Sequence, residues 1–386
     1  METSIIAVNV RRARLAKGLS QGKVAEVAGI SRPAYRNIES GASVPRVDTL
    51  QSIARALGVK LQDLVTPVKS LSAVRFRAQK KITSREQILV EVARWLEGFE
   101  ELEGLVGDKA PYLFEELAKR LHGDSDAGRA IRAAGEARRV LGLSDGEPIR
   151  DICGLLESGG VKIYPISHAS EGFFGLSVGQ DDGGPAVVVN VWDRISVERW
   201  IFSAAQELGH LLLHLDAYDV RQAAEDIREE AEANEFASHF LMPQCAFEKE
   251  WGEAVGLPIV DRVLKVKRIF KVSYKTVLYR LTEDGRVSND IWKRFNAAYK
   301  SRTGRSLGNK DEPLPVAAND FRASTPEPHR AHEPDGLSAF DFVEDRLSRL
   351  VRLAIEQGKI TMARGAEILG LSLDAMRERV ASWTEG

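Results

Sequence analysis

The chain has 386 residues, 44% of them apolar and 28% charged, with a formal net charge of −2, the make-up of an ordinary soluble protein with room for two or three cores. Its two cysteines, Cys153 and Cys245, are too few for a disulfide framework or a Cys-ligated zinc site. No apolar run approaches the ~20 residues of a membrane span, and at the N-terminus the basic residues follow the apolar ones, the reverse of a signal peptide; the expectation is a cytoplasmic protein with no membrane partner.

The near-neutral total hides an asymmetry. Residues 1–65 carry ten Lys/Arg against five Asp/Glu. Five short helices are predicted there. Asn9–Lys17 comes first; Ser20 caps Gln21–Ala28, which Gly29 ends; Ser31 caps Arg32–Glu39, which Gly41 ends; Thr49–Leu57 and Leu61–Val65 follow. Ala25, Ile30, Ile38, Leu50, Ile53 and Leu57 fall at core spacing. Arg32, Arg36 and Asn37 fall on the opposite face, where arginine suits guanine O6/N7 and asparagine suits adenine N6/N7. Pro33 near the helix start costs no hydrogen bond and can touch a thymine methyl. Gln21, opening the preceding helix, is expected on a phosphate.

The string SQGKVAEVAGISRPAYRNIESG at Ser20–Gly41, continued through Pro45, Leu50 and Ala54, resembles the helix-turn-helix of the Cro/repressor (XRE) family. The resemblance implies an operator in double-stranded DNA, read by the helix that begins at Arg32. Such modules usually bind two half-sites as symmetric dimers, so one copy per chain implies a homodimer made through the rest of the chain.

Residues 66–85 (TPVKSLSAVRFRAQKKITSR) read as a basic connector, either tracking phosphates or simply solvated. Ser84–Leu105, Pro111–Leu121, Asp124–Leu143 and Ile149–Leu156 read as helices. Gly159-Gly160 then turns the chain into three strands, Gly160–Ile166, Gly172–Val178 and Ala186–Val191. Gly172–Ser177 is the expected sheet edge, where a peptide could pair.

Ser196–Leu215 is one long, mostly apolar helix capped by Ser196, with Glu198 in its first turn, where the helix dipole favours negative charge. It contains Gln206-Glu207-Leu208-Gly209-His210, the zinc-protease pattern HExxH with its first His replaced. Residues 206 and 210 share a helix face and can point at one ion, and Glu207 is placed to take a proton from a metal-bound water. His210 is a good zinc ligand. Gln206 offers only an amide oxygen, a poor donor to zinc. A second amphipathic helix, Glu229–Leu241, stops at Met242-Pro243.

ELGHLLLH at 207–214, a loop, then EANEFASHFLMP at 232–243 behind three strands resembles the ImmA/IrrE family of metallopeptidases over roughly Arg75 to Arg286. The resemblance implies a zincin-like domain with Glu207 as catalytic base and His210 and Glu232 as zinc ligands; Glu229 and Glu230 match less well. Gln206 departs from the family. His214, one turn beyond His210, is a possible substitute, although the family has a His there beside an intact motif. His239 lies about 10 Å along its helix from Glu232 at ~1.5 Å per residue, too far to share one ion. His122, His168, His329 and His332 have no ligand spacing.

Val263–Phe270 and Ser273–Leu281 form a helix-turn-helix-like pair that closes the peptidase domain by the same resemblance, a second DNA reader being the alternative. Pro-rich 302–336 reads as a linker or wrapping arm. Phe340–Gln357 is amphipathic, and Thr361–Leu369 with Ser372–Trp383 is a further helical pair, for packing, dimerisation or a helix-turn-helix tail.

The fold class expected is mainly α (α+β overall). Its parts are a five-helix DNA-binding domain (1–66), a helical connector (67–150), a metallopeptidase-like domain with a small β-sheet (151–290), a linker (291–336) and a C-terminal helical region (337–386). Three functions fit. One is a DNA-binding regulator with a peptidase-like domain weakened or silenced at Gln206. Another is an active zinc endopeptidase, the family's members typically cutting repressors. The last is a non-enzymatic, antitoxin-like repressor that binds a toxin or other protein partner.

Overall fold

The computed structural model describes residues 5–65, 71–78, 85–124, 126–170, 172–218, 226–283, 285, 287–315 and 336–383. Within them the protein is mainly α-helical, with one small four-stranded sheet. It divides into two compact units. One joins Met1–Ser72, Lys81–Gly107 and Ala354–Gly386, and the other joins Ala73–Lys80 and Asp108–Leu353.

The first unit begins with α1 (Ile5–Ala16), α2 (Gln21–Ala28), α3 (Arg32–Glu39), α4 (Val47–Leu57) and α5 (Leu61–Val65). The boundaries of α2 and α3 are set locally. Ser20 Oγ accepts from Lys23 N at 3.1 Å, and Ser31 Oγ from Ala34 N at 3.3 Å. Val10, Val24, Ala25, Tyr35, Ile38, Leu50, Ile53 and Leu57 form one core, with Ile30 packed at its margin. α6 (Arg85–Val106) also belongs to this unit and turns Ile88, Val92, Trp95 and Phe99 inward.

In the second unit, residues 74–78 of the expected connector form a strand, β1 (Val74–Ala78). The helices α7 (Glu115–Leu121), α8 (Arg129–Val140) and α9 (Ile152–Ser158) lead to β2 (Lys162–Ile166), β3 (Phe173–Val178) and β4 (Ala186–Asn190). The strand order is β1-β3-β4-β2. β1 runs antiparallel to β3, with Val74 opposite Val178 and Phe76 opposite Leu176, whereas β2 and β4 are parallel. This corrects one expectation: β3 is an interior strand, because β1 occupies the side that was expected to be an open edge.

α10 (Val197–Leu213) is buried from Ser203 to Leu213 between the sheet and α11 (Ile227–Leu241). Gly209 permits the crossing: a Cβ there would lie 2.8 Å from the Phe236 ring of α11. Two buried arginines hold the C-terminal end of α11. Arg138 Nη1 donates to Phe240 O and Arg280 Nη1 to Met242 O, both at 2.8 Å; cations there also suit the helix dipole. α12 (Gln244–Glu253), α13 (Ile259–Phe270), α14 (Tyr274–Glu283) and α15 (Ile291–Thr303) complete this core through Phe247, Val263, Val277 and Phe295.

The Pro-rich segment from 316 to 335, with His329 and His332, lies outside the described residues, as do 219–225 of the loop before α11. α16 (Arg346–Glu356) follows. α17 (Met362–Ile368) and α18 (Leu373–Ser382) return to the first unit, where Ile368 packs on Gly98 of α6 and Arg364 pairs with Glu101. Among the described residues no helix is long and apolar enough to cross a membrane.

Candidate functional site

α3 is sharply two-faced. Tyr35, Ile38 and Glu39 are buried, while Arg32, Pro33, Arg36 and Asn37 are exposed along one stripe. Arg32 and Pro33 stand in the first turn, the end that enters a major groove in helix-turn-helix docking. Behind the stripe, Arg14 clamps Glu39 with two contacts of 2.7 Å, and Gln21 Nε2 donates to the same carboxylate at 3.0 Å. Burial works to raise the Glu39 pKa, but the bonds from Arg14 and Gln21 outweigh it and hold the carboxyl below its usual value. The Gln21 amide nitrogen therefore faces inward and ties α2 to α3.

The second cluster gathers the residues of the QELGH helix. Gln206, Glu207 and His210 are each fully buried. Glu207 leans toward the sheet: its Oε2 accepts from Ser177 Oγ at 2.8 Å, and Ser177 Oγ accepts from Tyr218 OH at 2.8 Å. Gly175 makes room for this carboxylate, since a Cβ there would sit 3.2 Å from Glu207 Oε1. Burial pushes the Tyr218 hydroxyl well above its ordinary pKa, so it stays a donor.

On the opposite side, Gln206 Nε2 donates to Glu230 Oε2 at 3.0 Å, and His210 Nε2 lies 3.3 Å from Glu230 Oε1. His210 is pushed down to about 3, first by burial, and burial lowers His214 as well, so both rings are neutral near neutral pH. His214 Nε2 lies 2.9 Å from Glu232 Oε2 and His214 Nδ1 lies 2.9 Å from His210 Nδ1. A carboxylate only accepts, so His214 Nε2–H donates to Glu232 and His210 Nδ1–H donates to His214. Both nitrogens of His214, the possible substitute ligand, are thereby committed away from Gln206.

Two arginines complete the cluster. Arg75, from β1, reaches Glu229 at 2.7 Å and Glu230 Oε1 at 3.0 Å. Arg129, at the start of α8, grips Glu232 with two parallel bonds of 2.7 and 2.6 Å. Burial works to raise Glu232, but Arg129 and His214 outweigh it and hold it below the ordinary carboxylate range. Sequence reasoning missed both arginines as site residues.

These donors do not fit a catalytic zinc. Such a site needs three protein ligands around an open position. Here the amide of Gln206 turns its NH2 toward Glu230, the Glu230 oxygen nearest His210 already accepts from a guanidinium, and Glu232 is engaged on both oxygens. Among the described residues no group of three His, Cys, Asp or Glu is arranged to hold a metal. The remaining histidines lie apart: His239 pairs with Glu283, and His122 faces Asp216 at 3.9 Å.

Comparison with known proteins agrees with the two clusters. Residues 10–64 match the helix-turn-helix family HTH_3, and residues 162–282 match the IrrE N-terminal-like domain, Peptidase_M78. An HTH-type transcriptional regulator of Sinorhizobium fredii, y4dJ, is 40% identical over 63 residues, which are 16% of this chain and 82% of that protein. Among solved structures, apo ComR from Streptococcus vestibularis is 14% identical, covering 77% of this chain and 79% of its own, with a TM-score of 0.16. PlcR of Bacillus thuringiensis, solved with the peptide PapR7 and DNA, is 13% identical, covering 98% and 93%, with a TM-score of 0.17. Scores that low carry no structural argument. By its sequence matches the chain belongs to the XRE-type helix-turn-helix family of transcriptional regulators, and it carries an IrrE-like domain as well.

Proposed function

We propose that this regulator binds its operator through Arg32, Pro33, Arg36 and Asn37 as a homodimer, and that its IrrE-like domain is a non-catalytic relative of a zinc peptidase. The observation that carries the second part is the pair of arginines in the QELGH cluster. Arg75 and Arg129 bring two positive charges to Glu229, Glu230 and Glu232, as one zinc ion would. β1 adds to this reading, because it lies antiparallel along β3, where an extended peptide would otherwise pair. The domain then serves for dimerisation or for holding a protein partner, and Glu207 is a structural acceptor for Ser177.

Elemental analysis of the full chain, purified without chelator, tests the metal part. Zinc is expected well below one per chain, and duplex binding, followed on a fragment selected from a random pool, is expected to survive EDTA. Near-stoichiometric zinc, with Glu207→Ala abolishing cleavage of a co-expressed repressor, would restore the endopeptidase reading. Arg32→Ala with Arg36→Ala tests the DNA part. Each bidentate base contact is worth ~1–3 kcal/mol, so losing two should lower specific affinity about 30-fold or more with the circular dichroism unchanged; retained specific binding refutes the assignment.

A further inference from the structure

A cavity of about 350 Å³ opens in the second unit, away from the QELGH cluster, between the start of α10, the start of α14 and the chain near Asn309. Its walls combine aromatic faces with cations. The Arg199 guanidinium lies 4.5 Å from the Phe174 ring and 5.6 Å from that of Phe202, and Arg194 lies 5.2 Å from Trp192. Lys275 and Lys310 add two ammonium groups.

The wall also contains two carboxylates, Glu198 and Glu312, which share one ammonium and so leave about one negative charge against the four cations of the wall. Lys267 pairs with Glu198 and lies 3.3 Å from Glu312, which also accepts from Ser273 Oγ. Among the described residues Arg194 and Lys275 have no carboxylate within ion-pair distance. The cavity is therefore electropositive and flat-walled. It is at the small end of ligand pockets, which run from ~300 Å³ upward.

We infer that this cavity is a binding site for a small aromatic carboxylate, its ring stacked among Phe174, Phe202 and Trp192 and its carboxylate held by Arg199, Arg194 and Lys275. Charge-assisted hydrogen bonds are about twice as strong as neutral ones, and a guanidinium already laid on an aromatic face extends the stacking surface. Glu198 and Glu312 disfavour a multiply charged phosphate, which leaves a monoanion. The site depends neither on metal nor on DNA binding, so its test is independent of the function proposed above.

Isothermal titration of the full chain with 1-naphthylacetate, beside 1-naphthylacetamide and acetate, tests it. One saturable site per chain is expected, with the acid bound about tenfold or more tighter than the amide or acetate. Arg199→Gln should remove that preference, weakening the acid about tenfold or more and the amide by less. Arg199 packs against two aromatic rings, so Arg194→Gln, an exposed position, is read as well and should weaken the acid about threefold or more. No saturable binding below about 1 mM, equal affinity for acid and amide, or acid binding unchanged in both variants overturns the inference.

Discussion

Arg129 and Glu232 offer the most direct test of a charge-compensated site. The pair is two-pronged, with bonds of 2.7 and 2.6 Å, and its side chains are 14% and 25% exposed. Breaking a fully buried pair costs ~3–5 kcal/mol, whereas an exposed one is worth ~0–1 kcal/mol. At this partial burial, Arg129→Gln should cost about 2–3 kcal/mol, part of it from leaving Glu232 against His214 alone. Arg129 Nη1 also donates to Asp124 O at 2.6 Å, a bond that does not involve Glu232. A double-mutant cycle with Glu232→Gln separates the two contributions: the coupling should be about 1.5 kcal/mol, read from urea unfolding of the full chain. The chain has two units, so the transition of the IrrE-like unit must be resolved before a single free energy is assigned. A coupling below about 0.5 kcal/mol would mean that the bidentate pair does not hold the site together. Added zinc supplies the second arm. A ligand that binds only the folded state raises stability by RT ln(1 + [L]/Kd), ~2.7 kcal/mol at 100 Kd. Zinc should leave the unaltered protein unmoved and stabilise Gln206→His/Arg129→Gln; a zinc-dependent rise in the unaltered protein refutes the argument.

Three further outcomes follow from buried groups. Glu157, on α9, accepts from the backbone of Asp345 and Arg346 through Oε2, yet burial pushes its carboxyl up to about 7. The native state then binds this proton more tightly than the unfolded chain, so stability should fall by about 3 kcal/mol as pH rises from about 4.5 to 7. Glu157→Gln should flatten that limb in pH-dependent denaturation, and an unchanged slope would refute the assignment. Gly209→Ala places a methyl 2.8 Å from the fully buried Phe236 ring and should cost ~1–3 kcal/mol in thermal unfolding; a change within about 0.5 kcal/mol would mean that α10 and α11 part freely. Glu39→Ala leaves Arg14, itself only 12% exposed, without its carboxylate and should lower the stability of the DNA-binding unit by about 2–4 kcal/mol, read in the same way. No loss there would mean that the clamp behind α3 is dispensable.

What the sequence discloses and what it hides divides along the distance between interacting residues. The ends of α2 and α3 are written within four residues by Ser20, Gly29 and Ser31, so they can be read without tertiary knowledge. β4 is legible because Ala186–Asn190, buried at every position, has three consecutive valines, as a strand covered on both faces should. β1 was not legible. In VRFRA the arginines occupy alternate positions, which reads as a solvated face, and the carboxylates that bury Arg75 lie 154 and 155 residues away. Arg129 hides in an Ala/Arg-rich helix for the same reason, 103 residues from Glu232. Likewise nothing near Arg138 or Arg280 in the chain says that their guanidinium groups close the end of α11.

The single letter at Gln206 therefore points to a question that its neighbours in sequence do not answer. A glutamine in place of histidine removes one ligand, and a His, a water or a shifted carboxylate could in principle supply another. Removing one ligand also leaves Glu230 beside the buried His210 and Glu232 beside His214, with Glu229 next to them, and partly buried carboxylates need a counter-charge whether or not a metal is bound. Arg75 and Arg129 supply it, through a strand and a helix that both precede the motif in the chain. A change at 206 alone would not make room for an ion, because the guanidinium groups would still hold the oxygens that the ion needs. The reading of this domain as non-catalytic thus rests less on the missing histidine than on the two arginines, and restoring a metal site should require changing both kinds of residue together.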